Sequence, residues 1–186
     1  MNKNYRVEIA NKTLEIIKNG FYEYKGKKID IQDGLQESIK NTFTIAPKDW
    51  EAILETPIEN RFETEIITKN CSTIEAIIEE KNGRICVLNF ASAKNPGGGF
   101  LGGASAQEES LARTSGLYES LLQAWDYYTI HRAMESCFYT DTMIYSPKVP
   151  VFRKDKGELL PKPILCNFIT SPAVNAGVVK RQEPER

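Results

Sequence analysis

The chain has 186 residues with 24 Lys and Arg against 25 Asp and Glu, a length suited to one domain, and its near-balanced charge without a basic run interleaved with aromatics gives no indication of an electrostatic nucleic-acid groove. No stretch approaches the roughly 20 apolar residues that span a bilayer, and the N-terminus lacks the apolar segment of a signal peptide, so the expectation is no membrane partner and a cytoplasmic location. Cys71, Cys86, Cys137 and Cys166 form no CxxC pair and read as reduced core thiols, while the single histidine, His131, rules out a His-rich zinc site and leaves acid–base chemistry to carboxylates, with no metal or other cofactor required.

Apolar residues at Val7, Ile9, Ala10, Leu14, Ile16 and Ile17 recur at helical spacing and predict a helix over 6–19 that stops at Gly20. Phe21, Tyr22 and Tyr24, a turn at 25–28, then Ile29 and Ile31 predict a hairpin at a sheet edge. Residues 34–60 are mixed, with Pro47 and Pro57 around a short helix at 50–54. Ile66 and Ile67 suggest a strand, and Ser72-Thr73-Ile74-Glu75 has the form of a capping box opening a helix to Glu80, closed by Asn82-Gly83. The run 85–91 is nearly all apolar, as in a strand covered on both faces. Strand, helix and strand make a βαβ unit, so the sheet is at least partly parallel.

After the loop 92–104, Ser105-Ala106-Gln107-Glu108 reads as a second capping box. A helical stretch follows through Leu111, Leu117, Tyr118, Leu121 and Leu122, with Gly116 placed to break it. Strands are expected at 142–146 and 149–152, a turn at 155–157, an extended pair at 159–160, and a last strand at 164–169. The polar tail 180–186 is expected to fray.

The informative stretch runs from Asn89 to Glu109. It follows a strand and precedes a helix, where open α/β sheets place their ligands. Five glycines within seven residues, Gly97, Gly98, Gly99, Gly102 and Gly103, let backbone N–H groups approach an anionic or sugar ligand. No Gly-Lys-Ser/Thr follows, against a nucleoside-triphosphate loop, and no acidic residue near position 120 ends a strand, against a dinucleotide fold. Glu108, fourth in the capping box, has a structural reading as acceptor of the Ser105 N–H. Glu109 is not needed for that cap, and its protonation is coupled to a neighbouring carboxylate. Asn95 is placed by Pro96 in an extended conformation that aims it at a sugar, or else simply forms a turn. Tyr127 and Tyr128 read as core or rim, and Asp126, Asp141 and Asp155 as surface.

Gly97-Gly98-Gly99, a seven-residue spacer and Gln107-Glu108-Glu109 resemble the GGG…QEE signature of poly(ADP-ribose) glycohydrolases, and the flanking NFASAKNP and SLARTSGLY resemble the microbial branch. The resemblance implies an α/β, macrodomain-like, three-layer α/β/α fold with a mixed, partly parallel sheet. Within a single domain 1–186, residues 1–60 would form a helical and hairpin extension and 61–180 the macrodomain-like core. It further implies hydrolysis of the ribose–ribose bond of poly(ADP-ribose), with ADP-ribose as product; ADP-ribosylated protein is an alternative substrate, and ADP-ribose binding without cleavage an alternative function. Glu109 would be the catalytic acid and Glu108 the holder of ribose hydroxyls. Gln107 and Gly97, Gly98 and Gly99 would line the ribose and diphosphate side, and Asn95 would join them. Residues 167–177 also resemble this family, whose members continue for several dozen residues with further strands and a second glycine loop. The expectation is therefore a C-terminally truncated fold, either a fragment or one completed by a second chain.

Overall fold

The computed structural model describes residues 1–57, 63–81, 83–183 and 185. Helix α1 (Lys3–Asn19) is capped by Asn2, whose side chain accepts the Tyr5 N–H, and ends where Gly20 turns left-handed and donates to Ile16 and Ile17. Strands β1 (Phe21–Tyr24) and β2 (Lys27–Asp30) form the expected hairpin, but as a separate two-stranded sheet and not at the edge of the main one. The reason is packing: Tyr22 and Ile31 join Ile17, Leu35 and Phe152 in a small core of their own. Helix α2 (Gln32–Lys40) and strand β3 (Phe43–Ile45) lie in the stretch read as mixed. The short helix α3 (Trp50–Leu54) is present as expected.

Ile66 and Ile67 form no strand, and Ile66 is 91% exposed. Helix α4 (Thr73–Glu79) opens with the predicted capping box, Ser72 accepting the Glu75 N–H while Glu75 accepts that of Ser72. Asn82, expected to close it, lies outside the described residues.

The main sheet contains β3, β4 (Cys86–Ala91), β5 (Met143–Arg153) and β6 (Leu159–Pro172) in the order β3-β5-β6-β4. The short strands expected after position 142 merge into the β5–β6 hairpin because a register shift between Ser146 and Val149 absorbs Pro147 and the left-handed Lys148 without ending the ladder. The sheet is mixed: β4 pairs parallel to β6, and the other pairs are antiparallel. The parallel pairing is thus present, but with β6 as the partner and not residues 66–67.

Helices α5 (Gln107–Thr114), α6 (Leu117–Gln123) and α7 (Trp125–Arg132) join α4 on one face of this sheet. Their Leu111, Leu117, Leu121, Tyr127 and Tyr128 pack with Ile144, Cys166 and Phe168 in the principal core. Tyr127 and Tyr128 are therefore core residues. Gly116 does separate α5 from α6, where Ser115 bridges to Val151. The opposite face carries a row of register partners, Phe43, Tyr145, Ile169 and Leu88. At its ends Phe43 is 52% and Leu88 45% exposed. The expectation that 85–91 is covered on both faces fails, since β4 is an edge strand that turns Asn89 and Ala91 inward and leaves Phe90 59% exposed.

Cys137 and Cys166 are buried thiols, whereas Cys71 and Cys86 are exposed and so are not core residues. The start of the tail expected to fray is instead helical: α8 (Ala176–Gln182) is capped by Asn175, which accepts the N–H groups of Gly177 and Val178.

Candidate active site

The site lies where β4 ends and α5 begins. Between them residues 92–106 fold back in overlapping turns, with Gly98 N–H donating to Asn95 O, Gly102 to Gly99 O, and Ala104 also to Gly99 O. Phe100 is buried against Ala10, Ala112, Leu14 and Tyr118, which pins the loop to α1 and α5. Gly98 has φ +59, and a Cβ there would collide with Glu109 Oε1 and lie 3.0 Å from Glu108 Oε2. Only glycine lets the backbone sit this close to both carboxylates.

The three residues that open α5 each grip the backbone of the preceding strand and loop. Gln107 Oε1 accepts the Phe90 N–H at 2.8 Å while its Nε2 donates to Leu88 O at 2.9 Å. Glu108 Oε2 accepts the Ser92 N–H at 2.7 Å. Glu109 Oε1 accepts the Gly99 N–H at 3.0 Å and its Oε2 that of Ala106, also at 3.0 Å. The predicted capping box is therefore displaced by one residue. Ala106, not Ser105, is the N-cap, and Glu109, not Glu108, closes it.

A cleft of about 470 Å³ opens beside these groups, lined by Phe90, Ser92, Asn95, Glu108, Glu109 and Tyr139 among others. Its size is within the usual range for small-molecule sites. Asn95 forms the turn that was its structural reading, its carbonyl and N–H bonding Gly98 and Ser92 Oγ, and it also lines the cleft. Gly97, Gly98 and Gly99 lie behind the carboxylates and not in the lining, and Gln107 faces the β4 edge. Ser92 and Tyr139 line the cleft without having been singled out from the sequence, and so does the buried Cys137, which was read there only as a core thiol.

Glu108 is 3% exposed, and burial pushes its carboxyl up to about 7; the Ser92 N–H opposes that rise and the Glu109 charge adds to it. Its Oε1 has no hydrogen-bond partner among the described residues. Glu109, 9% exposed, sits between the loop and the cleft. Tyr127 and Tyr128 are pushed up by burial and then by the Glu108 charge, as expected of hydroxyls in the core beneath the site. His131 is buried, shares a hydrogen bond with Thr140 Oγ1, and is driven down by burial. Asp126 and Asp141 are exposed, but Asp155 is half-buried, accepting from Ser72 Oγ and from Ser110 Oγ at 2.6 Å, and so ties α4 to α5. Among the described residues no cluster of three His, Cys, Asp or Glu could hold a metal ion.

Residues 10–154 match the family model of the microbial-type PARG catalytic domain. The poly(ADP-ribose) glycohydrolase of Thermomonospora curvata, solved with the inhibitor ADP-HPD, is 39% identical with a TM-score of 0.87, the match covering 95% of this chain and 65% of that one. That of Deinococcus radiodurans, solved with ADP-ribose, is 43% identical with a TM-score of 0.74 over 82% of this chain and 62% of that one. The chain thus spans less than two thirds of the length of either. No curated protein matches. The family model covers more than half of the chain, and on that ground, with a fold to match, the chain belongs to the microbial-type poly(ADP-ribose) glycohydrolase catalytic-domain family.

Proposed function

We propose that the chain is a poly(ADP-ribose) glycohydrolase that cleaves ribose–ribose O-glycosidic bonds and releases ADP-ribose. The observation that carries this reading is the pair of buried carboxylates pressed against a glycine that has no room for a side chain, at the wall of a cleft. The relatives solved with ADP-ribose or ADP-HPD support a ligand of that class.

In this mechanism Glu109 protonates the leaving ribose oxygen as the glycosidic bond breaks, then takes a proton from the water that attacks the oxocarbenium-like carbon. Its two backbone donors, Gly99 and Ala106, hold the carboxyl in one orientation for both steps. Glu108, beside Glu109 in the cleft wall, holds the ribose hydroxyls. Asn95, on the same wall, turns its amide to the sugar, and Gly97, Gly98 and Gly99 shape the ribose and diphosphate side from behind.

The test is ADP-ribose release from poly(ADP-ribose) by the purified chain and by Glu109→Gln. Release is expected from the wild type, with a loss of at least ~100-fold in the variant and unchanged ADP-ribose affinity. Equal release from both proteins refutes the role of Glu109. Saturable ADP-ribose binding with no release by the wild type would make the chain a binding module.

A further inference from the structure

The glycine loop is held at its far end by two cations that the chemistry above does not use. Arg6, on α1, donates from Nε to Gly103 O at 2.7 Å. Arg113, on α5, donates from Nη1 to Ala104 O, also at 2.7 Å. Two consecutive loop carbonyls are thus gripped from two different helices. Neither arginine forms an ion pair with a carboxylate among the described residues. Arg113 is buried, and burial followed by the nearby Arg6 charge pushes it down, against the pull of Glu109 and Asp155. Setting two like charges near each other on neutral acceptors carries a desolvation and repulsion cost, seen in the downward push on Arg113.

That geometry leads to Glu109. Gly103 has φ +75, and a Cβ there would lie 2.7 Å from Lys3 O, so α1 presses directly on the loop. The Ala104 N–H closes the turn on Gly99 O, and the Gly99 N–H in turn holds Glu109 Oε1. We infer that α1 is a clamp on this loop and that Arg6 is a positioning residue, fixing Glu109 through Gly103, Ala104 and Gly99 without touching substrate. The part of this inference that concerns turnover rests on the proposed function; the clamp itself does not.

The experiment compares wild type, Arg6→Ala, Arg6→Lys and Lys12→Ala, the last removing an exposed residue of α1 that pairs with Glu8. Amide hydrogen exchange is followed across the chain, and ADP-ribose release gives kcat and KM. Arg6→Ala is expected to speed exchange at Gly99 and over 102–104 by on the order of 10-fold or more, with the β5–β6 ladder unchanged. Its kcat should fall by roughly 10- to 100-fold at nearly constant KM. Arg6→Lys, which keeps a donor, should recover part of both effects, and Lys12→Ala should change neither. Unchanged loop exchange in Arg6→Ala overturns the clamp, and so does acceleration spread evenly over the sheet, which would mark a general stabilising role. If the wild type releases no ADP-ribose, the proposed function fails while the exchange data still decide the clamp.

Discussion

Glu108→Gln should make the protein more stable at neutral and alkaline pH. The folded carboxyl stands at about 7 against an ordinary value of 4.5, a rise set first by burial. Because the folded value is raised, this stability contribution is fully present below pH ~4.5 and is lost as pH climbs through ~7, where the folded chain must ionise a buried group. At ~1.4 kcal/mol per pH unit the loss by pH 8 is about 3 kcal/mol. A glutamine is neutral throughout and keeps an oxygen for the Ser92 N–H, while its unpaired amide hydrogens offset about 1 kcal/mol of the gain. The net expectation is ~2 kcal/mol of added stability at pH 8, or a Tm higher by roughly 4–8 °C for a chain of this size, shrinking toward zero or slightly below by pH 5. Urea unfolding of both proteins at pH 5, 6, 7 and 8 measures the difference, in which carboxylates remote from the Glu108–Glu109 pair cancel. Parallel stability curves, with the same gap at every pH, would refute the assignment of a raised, buried Glu108.

Gly98→Ala places a methyl group against both carboxylates and forces a left-handed alanine, so it should cost about 1–2 kcal/mol in unfolding experiments and at least ~100-fold in ADP-ribose release. Gly102→Ala is the control: a Cβ there meets nothing within 4 Å, and stability should stay within about 1 kcal/mol of wild type with release intact. Gln107→Ala removes two hydrogen bonds from the exposed edge of β4, so about 1–2 kcal/mol should be lost in urea unfolding. The Phe90 amide should then exchange faster than its neighbours Asn89 and Ala91, whose groups face β6.

Features set by local chemistry were legible in the sequence. The stop of α1 at Gly20, the Ser72–Glu75 capping box, the break at Gly116 and the glycine loop after a strand each depend on residues close together in the chain. Features set by tertiary partners were not. The apolar character of 85–91 suggested burial on two faces, yet the one polar residue of that strand, Asn89, is buried and bonded to Thr170, while Phe90 is exposed. Only the sheet order explains the inversion. Helix α7 was missed because Trp125, Tyr127 and Tyr128 have modest helix propensity and are helical through packing on the core. Of the candidate site, both glutamates and Asn95 are in the cleft wall, whereas the place of Gln107 depends on a strand edge that no spacing rule shows.

The displaced cap explains why the Gln-Glu-Glu triplet must be contiguous. Phe90 and Ser92 are two residues apart on β4 and its continuation, so their N–H groups point to the same side of the strand. Gln107 and Glu108, adjacent at the start of α5, reach those two donors in turn. With the helix fixed to the strand by its first two side chains, the third falls over the glycine loop, where Glu109 meets Gly99 and closes its own cap on Ala106. Inserting one residue anywhere in the triplet would rotate the following side chain by ~100° about the helix axis and carry it off the loop. A glutamine at the first position also suits a strand edge, because one amide satisfies both an N–H and a C=O, which a carboxylate cannot do. The residues proposed for catalysis are thus held by the same contacts that join α5 to the sheet, and the buried charge on Glu108 is a stability cost located where the proposed chemistry places it.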